Sequence, residues 1–168
     1  MMTRRTLLST LAALGLGGGA ARTMGADTKP GKSSAGSVSK LNLSDAEWKK
    51  RLTSEQYHVL RREGTEAPGT SALNREKRQG TYHCAGCELP LFSSATKYES
   101  GTGWPSFYQP LPDAIGFKTD YKLILPRTEY HCARCEGHQG HVFDDGPPPT
   151  GKRYCNNGVA LKFVPVAA

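Results

Sequence analysis

One cysteine, Cys155, lies in the segment RYCNN at residues 153–157. If that segment runs as a strand, Arg153, Cys155 and Asn157 project from one face, because side chains alternate along a strand. A guanidinium beside a thiol favours the thiolate, which is the nucleophilic form. Just upstream, GHQGHVFDD places His138 and His141 three residues apart, followed by Asp144 and Asp145. A histidine brought to the thiol could act as general acid or base, and Asn157 could orient a group by hydrogen bonding. These residues together make a candidate nucleophilic site. They also admit plainer roles. A lone strand cysteine can be a small core residue, and an HxxH pair can be a surface feature. The two histidines with a cysteine could also ligate a metal.

The other four cysteines form two Cys-x-x-Cys pairs, Cys84 with Cys87 and Cys132 with Cys135, separated by 44 residues. Two such turns can offer four thiolates to one tetrahedral zinc, at about 2.3 Å per bond. Zinc has no redox chemistry, so a closed site of this kind is structural. It would clip two halves of a small domain together. The similar lead-ins TYHCAGC and EYHCARC suggest two matching turns. Two disulfides, or a thioredoxin-type redox pair, are the alternatives. No βαβ pattern surrounds either pair, which weighs against the second of these. Iron suits the same closed thiolate set.

Two kinds of element must position these groups. SDAE at residues 44–47 reads as a capping box, with Trp48 and Leu52 on one helical face. TSEQ at residues 53–56 repeats the device and predicts a second helix from Ser54 to about Glu63, stopping at Gly64. Residues 65–80 are polar and read as an irregular connection. From Gly80 onward, short segments rich in Val, Ile, Tyr, Phe and Thr alternate with Gly, Pro and Asp. That pattern predicts antiparallel sheets in a small barrel or sandwich-like body. The 168 residues suit one domain plus a tail.

The tail has its own signature. Residues 1–26 combine Arg4 and Arg5, an apolar run from Leu7 to Leu16 and then small residues, the layout of a cleaved export signal. The adjacent arginines in TRRTLL resemble a twin-arginine signal, a route that carries folded proteins to the periplasm. The apolar run is too short to span a bilayer as an anchor. Residues 27–43, rich in Ser, Gly, Lys and Pro, read as a flexible linker. The net charge is +7, and setting aside the three arginines of the signal leaves 19 basic and 15 acidic residues, or +4. A surplus that small, with no stripe of basic and aromatic residues, argues against a nucleic-acid partner.

The chain resembles the MsrB family of methionine-R-sulfoxide reductases over about residues 44–164. The motifs that carry the resemblance are CAGC at 84–87, SGTGWPSF at 100–107, CARC at 132–135, GHQGHVFDDGP at 137–147 and RYCNN at 153–157. It implies a mainly β fold of two small antiparallel sheets with short N-terminal helices, a structural zinc, and a catalytic domain over residues 44–168. It implies that Cys155 is the nucleophile and that Trp104 lines the pocket for the substrate methyl group. His138 and His141 would be the active-site histidines, with Arg153 and Asn157 flanking and ordering the site. The implied activity is reduction of methionine-R-sulfoxide, protein-bound or free, in repair of oxidised proteins. Many family members carry a second, resolving cysteine in SGxGWPSF, where this chain has Thr102. A sulfenic acid on Cys155 would then need an external thiol or a thioredoxin-like protein. Three other readings make different predictions: a zinc-ribbon nucleic-acid module, a binder of oxidised methionine without turnover, and a thiol peroxidase.

Overall fold

A computed structural model of the chain describes residues 38–122 and 125–167. The segment read as an export signal, and most of the linker, lie outside the described residues. Residues 38–43, the end of that linker, lie against the domain. Val38, Leu41 and Leu43 pack on the core, and the Leu41 amide donates to the Arg134 carbonyl at 2.8 Å. Among the described residues, no helix is long and apolar enough to cross a membrane.

Both capping boxes form. α1 spans Asp45–Arg51 behind Ser44 and Glu47, and α2 spans Ser54–Arg62 behind Thr53 and Gln56. In each, the cap hydroxyl accepts the third amide while the third side chain accepts the cap amide. α1 buries Trp48, and α2 buries Val59 and Leu60. The end of α2 differs from expectation by one residue. The left-handed position is Glu63, with φ of 53°, and Gly64 follows it. The His58 ring lies over Gly64, 2.2 Å from where a Cβ would stand, so a side chain there would displace that exposed ring.

Nine strands follow among the described residues: β1 Gly80–Cys84, β2 Pro90–Ser93, β3 Lys97–Tyr98, β4 Ser106–Phe107, β5 Ile115–Asp120, β6 Arg127–Cys132, β7 His138–Phe143, β8 Arg153–Asn156 and β9 Leu161–Pro165. They form two antiparallel sheets, ordered β2-β1-β9 and β3-β4-β8-β7-β6-β5. Aromatic rings join the sheets. Phe92 stacks on Phe107 at 4.3 Å, Tyr82 meets Phe107 edge-on at 4.9 Å, and Phe92 meets Tyr130 edge-on at 6.0 Å. Such pairs add about 0.5–1.5 kcal/mol each beyond the area they bury.

Alternation along the larger sheet separates core from chemistry. One row of cross-strand partners runs Phe107, Tyr154, Val142 and Thr128, and its first two rings are packed on the core. The neighbouring row runs Ser106, Cys155, His141, Glu129 and Lys118 on the opposite face. The register therefore sets Cys155 directly across from His141. Gly140, next to His141, is required by this pairing, because a Cβ there would lie 1.9 Å from the Cys155 carbonyl oxygen.

Candidate active site

Cys155, half-buried on β8, opens into a cavity of about 120 Å³ shared with His141, Trp104 and Asn157. Thr65, Arg127 and Phe143 complete much of its wall. A void of ~150 Å³ takes a benzene-sized group, so this one suits the end of a small side chain. A larger groove of about 810 Å³ lies between α2 and residues 65–73, but no thiol lines it. The chemistry of the lining, not the volume, picks out the smaller cavity.

Each expected site residue has a definite place. His141 is partly buried and donates from Nε2 to Asp120 Oδ2 at 2.8 Å, which leaves Nδ1 as the unprotonated nitrogen of the neutral ring. Asp120 is held well below the usual carboxylate range. The Lys122 amide bonds it, burial opposes, and His141 and Arg127 add further hydrogen bonds. Burial pushes His141 below the ordinary histidine value, with the Asp120 hydrogen bond opposing. His141 is therefore neutral near pH 7 and able to accept a proton.

His138 stands apart from the cavity. It is 2% exposed, shares a hydrogen bond between Nδ1 and Glu129 Oε1 at 2.7 Å, and its ring lies 5.4 Å from that of His141. Glu129 is itself buried. Burial alone would raise it, but hydrogen bonds from His131 and His138 hold it at about 2. The Nε2 atom of His138 is buried without a hydrogen-bond partner among the described residues.

One expectation about the RYCNN segment holds in direction and one is corrected by the geometry. Arg153 does favour the thiolate, by charge and by a hydrogen bond, but it is shared with other partners. Its guanidinium donates twice to Asp145, from Nε and Nη2 at 2.8 Å each, and stacks 4.3 Å over the Phe143 ring. Burial pushes the Cys155 thiol above its ordinary value, and Arg153 and a hydrogen bond from Thr102 only partly offset this. Asn157, expected on the same strand face, lies just past the end of β8 as the cap of a short 3₁₀ turn, Gly158–Ala160. It still reaches the cavity, held by Nδ2 donating to the Gln139 carbonyl at 3.0 Å.

The four remaining cysteines form one cluster. Cys84 and Cys132 end β1 and β6, and all four sulfurs lie within 4.8 Å of one another. The two turns do match. Glu88 and Glu136 both have positive φ, and their amides donate to the Cys84 and Cys132 carbonyls at 2.8 and 2.9 Å. The closest sulfur pairs, Cys84–Cys135 at 3.6 Å and Cys87–Cys132 at 3.4 Å, bridge the two turns. Four thiolates around one zinc would stand about 3.8 Å apart, given bonds of about 2.3 Å at tetrahedral angles. The residues fit the ion, which would be closed on all sides and structural.

The SelR domain family matches residues 52–165 of this chain. A peptide methionine sulfoxide reductase MsrB of Leptospira interrogans is 56% identical over 124 residues, covering 73% of this chain and 95% of that protein. The mitochondrial methionine-R-sulfoxide reductase B2 of Rattus norvegicus is 50% identical, covering 80% of this chain and 83% of that protein. The chain belongs to the MsrB family. The match to the chloroplastic peptide methionine sulfoxide reductase B1 of Oryza sativa, 54% identical, spans 58% of that longer protein. Within the MsrB fold, the four-cysteine cluster is the site of the structural zinc.

Several residues of this MsrB site carry no local signal in the sequence. Asp120 and Glu129 are single acids in KTDYK and TEYHC, and only the sheet register brings them to His141 and His138. Arg127, which bonds Asp120 at 2.6 Å, reaches the cavity by the same register.

Proposed function

We propose that Cys155 is the nucleophile of this methionine-R-sulfoxide reductase and that His141 is its proton carrier. The supporting observation is the convergence of Cys155, His141 and Trp104 on one small cavity. Because burial keeps the thiol protonated at rest, a proton must leave it before attack, and His141, its cross-strand partner in the same cavity, is the base placed to take it. The thiolate then attacks the sulfoxide sulfur while the imidazolium returns the proton to the sulfoxide oxygen. Oxygen passes to the cysteine, methionine leaves, and Cys155 is left as sulfenic acid. Sulfur of the substrate is reduced by two electrons and sulfur of the enzyme oxidised by two. The Trp104 indole supplies a flat apolar wall for the substrate methyl, which favours one epimer. With dithiothreitol as reductant, the R epimer of N-acetyl methionine sulfoxide is consumed and the S epimer is not. Equal loss of both, or of neither, refutes this assignment.

Thr102 bears on how the sulfenic acid is removed. Its side chain contacts the Cys155 thiol and is bonded to Ser100 Oγ at 2.9 Å. No thiol outside the zinc cluster remains in the chain, so two external thiols, or a thioredoxin-like dithiol, reduce Cys155 and release water. Mass spectrometry after turnover without reductant is expected to show one added oxygen on Cys155. Loss of two hydrogens, marking an internal disulfide, would contradict it. Thr102→Cys is expected to convert the protein to one that does form that disulfide.

Residues 1–26 support export by the twin-arginine route, with the zinc loaded before the chain leaves the cytosol. The site of action would then be the periplasm. Repair of oxidised proteins there needs a thiol reductant supplied to the same compartment.

A further inference from the structure

Glu66, in the GTEAPG loop after α2, engages every polar group it has. Its carbonyl accepts from Trp104 Nε1 at 3.1 Å, and its amide donates to Asn157 Oδ1 at 3.1 Å. Its two carboxylate oxygens accept the amides of Gly158 at 2.5 Å and Val159 at 3.0 Å. Those amides open the 3₁₀ turn after β8, where the first N–H groups have no partner within the turn itself. Asn157, the residue at the cap, makes no capping bond with its side chain. Its carboxamide is held by Gln139 and by Glu66 instead. The missing cap comes from 92 residues away, as a pair of charge-assisted bonds to a carboxylate. Among the described residues Glu66 forms no ion pair, so this carboxylate answers only to backbone amides.

These bonds join two segments that the reaction needs in register. Trp104 is in the loop before β4, and Cys155 is on β8, two residues before Asn157. Nearby bonds hold the Trp104 loop to the same connection: the Gly69 amide and Asn74 Nδ2 both donate to the Gly103 carbonyl, at 2.7 and 2.9 Å. We infer that Glu66 is a positioning residue that fixes the distance between the Trp104 wall and the Cys155 end of β8, and so the fit of the methyl sulfoxide group. The inference rests on the reductase reading of the same cavity and adds a residue outside its lining.

The test uses zinc-loaded protein with Glu66→Ala and Glu66→Gln. Glutamine keeps one acceptor oxygen but points a donor at the other amide, so it restores part of the cap. For the R epimer, Glu66→Ala is expected to raise KM about tenfold or more, since misplacing a positioned group by an ångström costs up to about a hundredfold. Glu66→Gln should fall between it and the parent. The second readout is Trp104 emission in a Trp48→Phe background, where Trp104 is the only indole. It should shift in the free Glu66→Ala protein and respond less to added substrate. If both variants keep KM and Trp104 emission unchanged, the inference fails. If activity falls only in proportion to folded protein, with emission unchanged, it also fails. Should Glu66→Ala not fold, Glu66→Gln decides by the same two readouts. A parent protein inactive on the R epimer refutes the reductase reading instead, and Trp104 emission still reports whether Glu66 places the indole.

Discussion

Cys155→Ser leaves a folded, zinc-containing protein whose turnover of methionine-R-sulfoxide falls by a factor on the order of 10⁴ or more. The size of the effect follows from what serine lacks. A hydroxyl on this strand has no accessible anion near neutral pH, and it cannot take up the sulfoxide oxygen as a thiol does. His141 cannot substitute, because an imidazole can exchange protons but provides no sulfur. Stability changes little by comparison, since the side chain is half-buried and serine is nearly isosteric. Melting temperature and zinc content should therefore match the parent while turnover is lost. The same variant separates the competing readings. A zinc-ribbon nucleic-acid module would keep its function after Cys155→Ser, and its affinity would fall steeply with salt. A binder without turnover would show the parent protein inactive as well. A peroxidase would consume peroxide through Cys155 but show no preference between sulfoxide epimers.

The sequence exposes those features whose physics is local. Each capping box sits within four residues, so both helices are legible in SDAE and TSEQ, and both form. The cysteine turns are also short, and their matching lead-ins correspond to matching backbone, down to the left-handed Glu88 and Glu136. Strand order is a different matter. β8 lies between β4 and β7, and β9 returns to pair with β1, 77 residues earlier in the chain at the Cys84–Leu161 contact. No periodicity within a strand encodes its neighbour across the sheet. For that reason RYCNN does not reveal which residue stands opposite Cys155, and Asp120 behind His141 leaves no trace in either motif. Glu66 is the extreme case. A single acid in a polar loop looks like a solvated turn, yet its carboxylate caps a turn built from the other end of the domain. Arg153 is legible only in direction. It favours the thiolate as its place beside the cysteine suggests, but Asp145 also engages its guanidinium and burial of the thiol outweighs it.

Removing one zinc ligand is expected to disable the protein by a different route. Cys84 and Cys132 are fully buried and end one strand in each sheet. The metal therefore ties β1 of the three-stranded sheet to β6 of the six-stranded one. Structural zinc sites contribute roughly 10–16 kcal/mol of apparent binding energy at neutral pH, and domains of this kind are stable by only about 5–15 kcal/mol. A site of that strength accounts for much or all of the folded state. Cys132→Ser should yield protein without metal, with a broad or absent melting transition and little soluble product. Activity is lost as a consequence, because β6 also carries Glu129 and pairs with β7, the strand that holds His141. The contrast with Cys155→Ser is diagnostic: one variant loses chemistry and keeps metal and fold, the other loses metal and fold together. Elemental analysis of the parent should give one zinc per chain. A phosphine reductant without chelator should leave its melting temperature unchanged, as expected for thiolates on a metal. A metal-free parent that unfolds when reduced would instead establish two disulfides and overturn the zinc assignment.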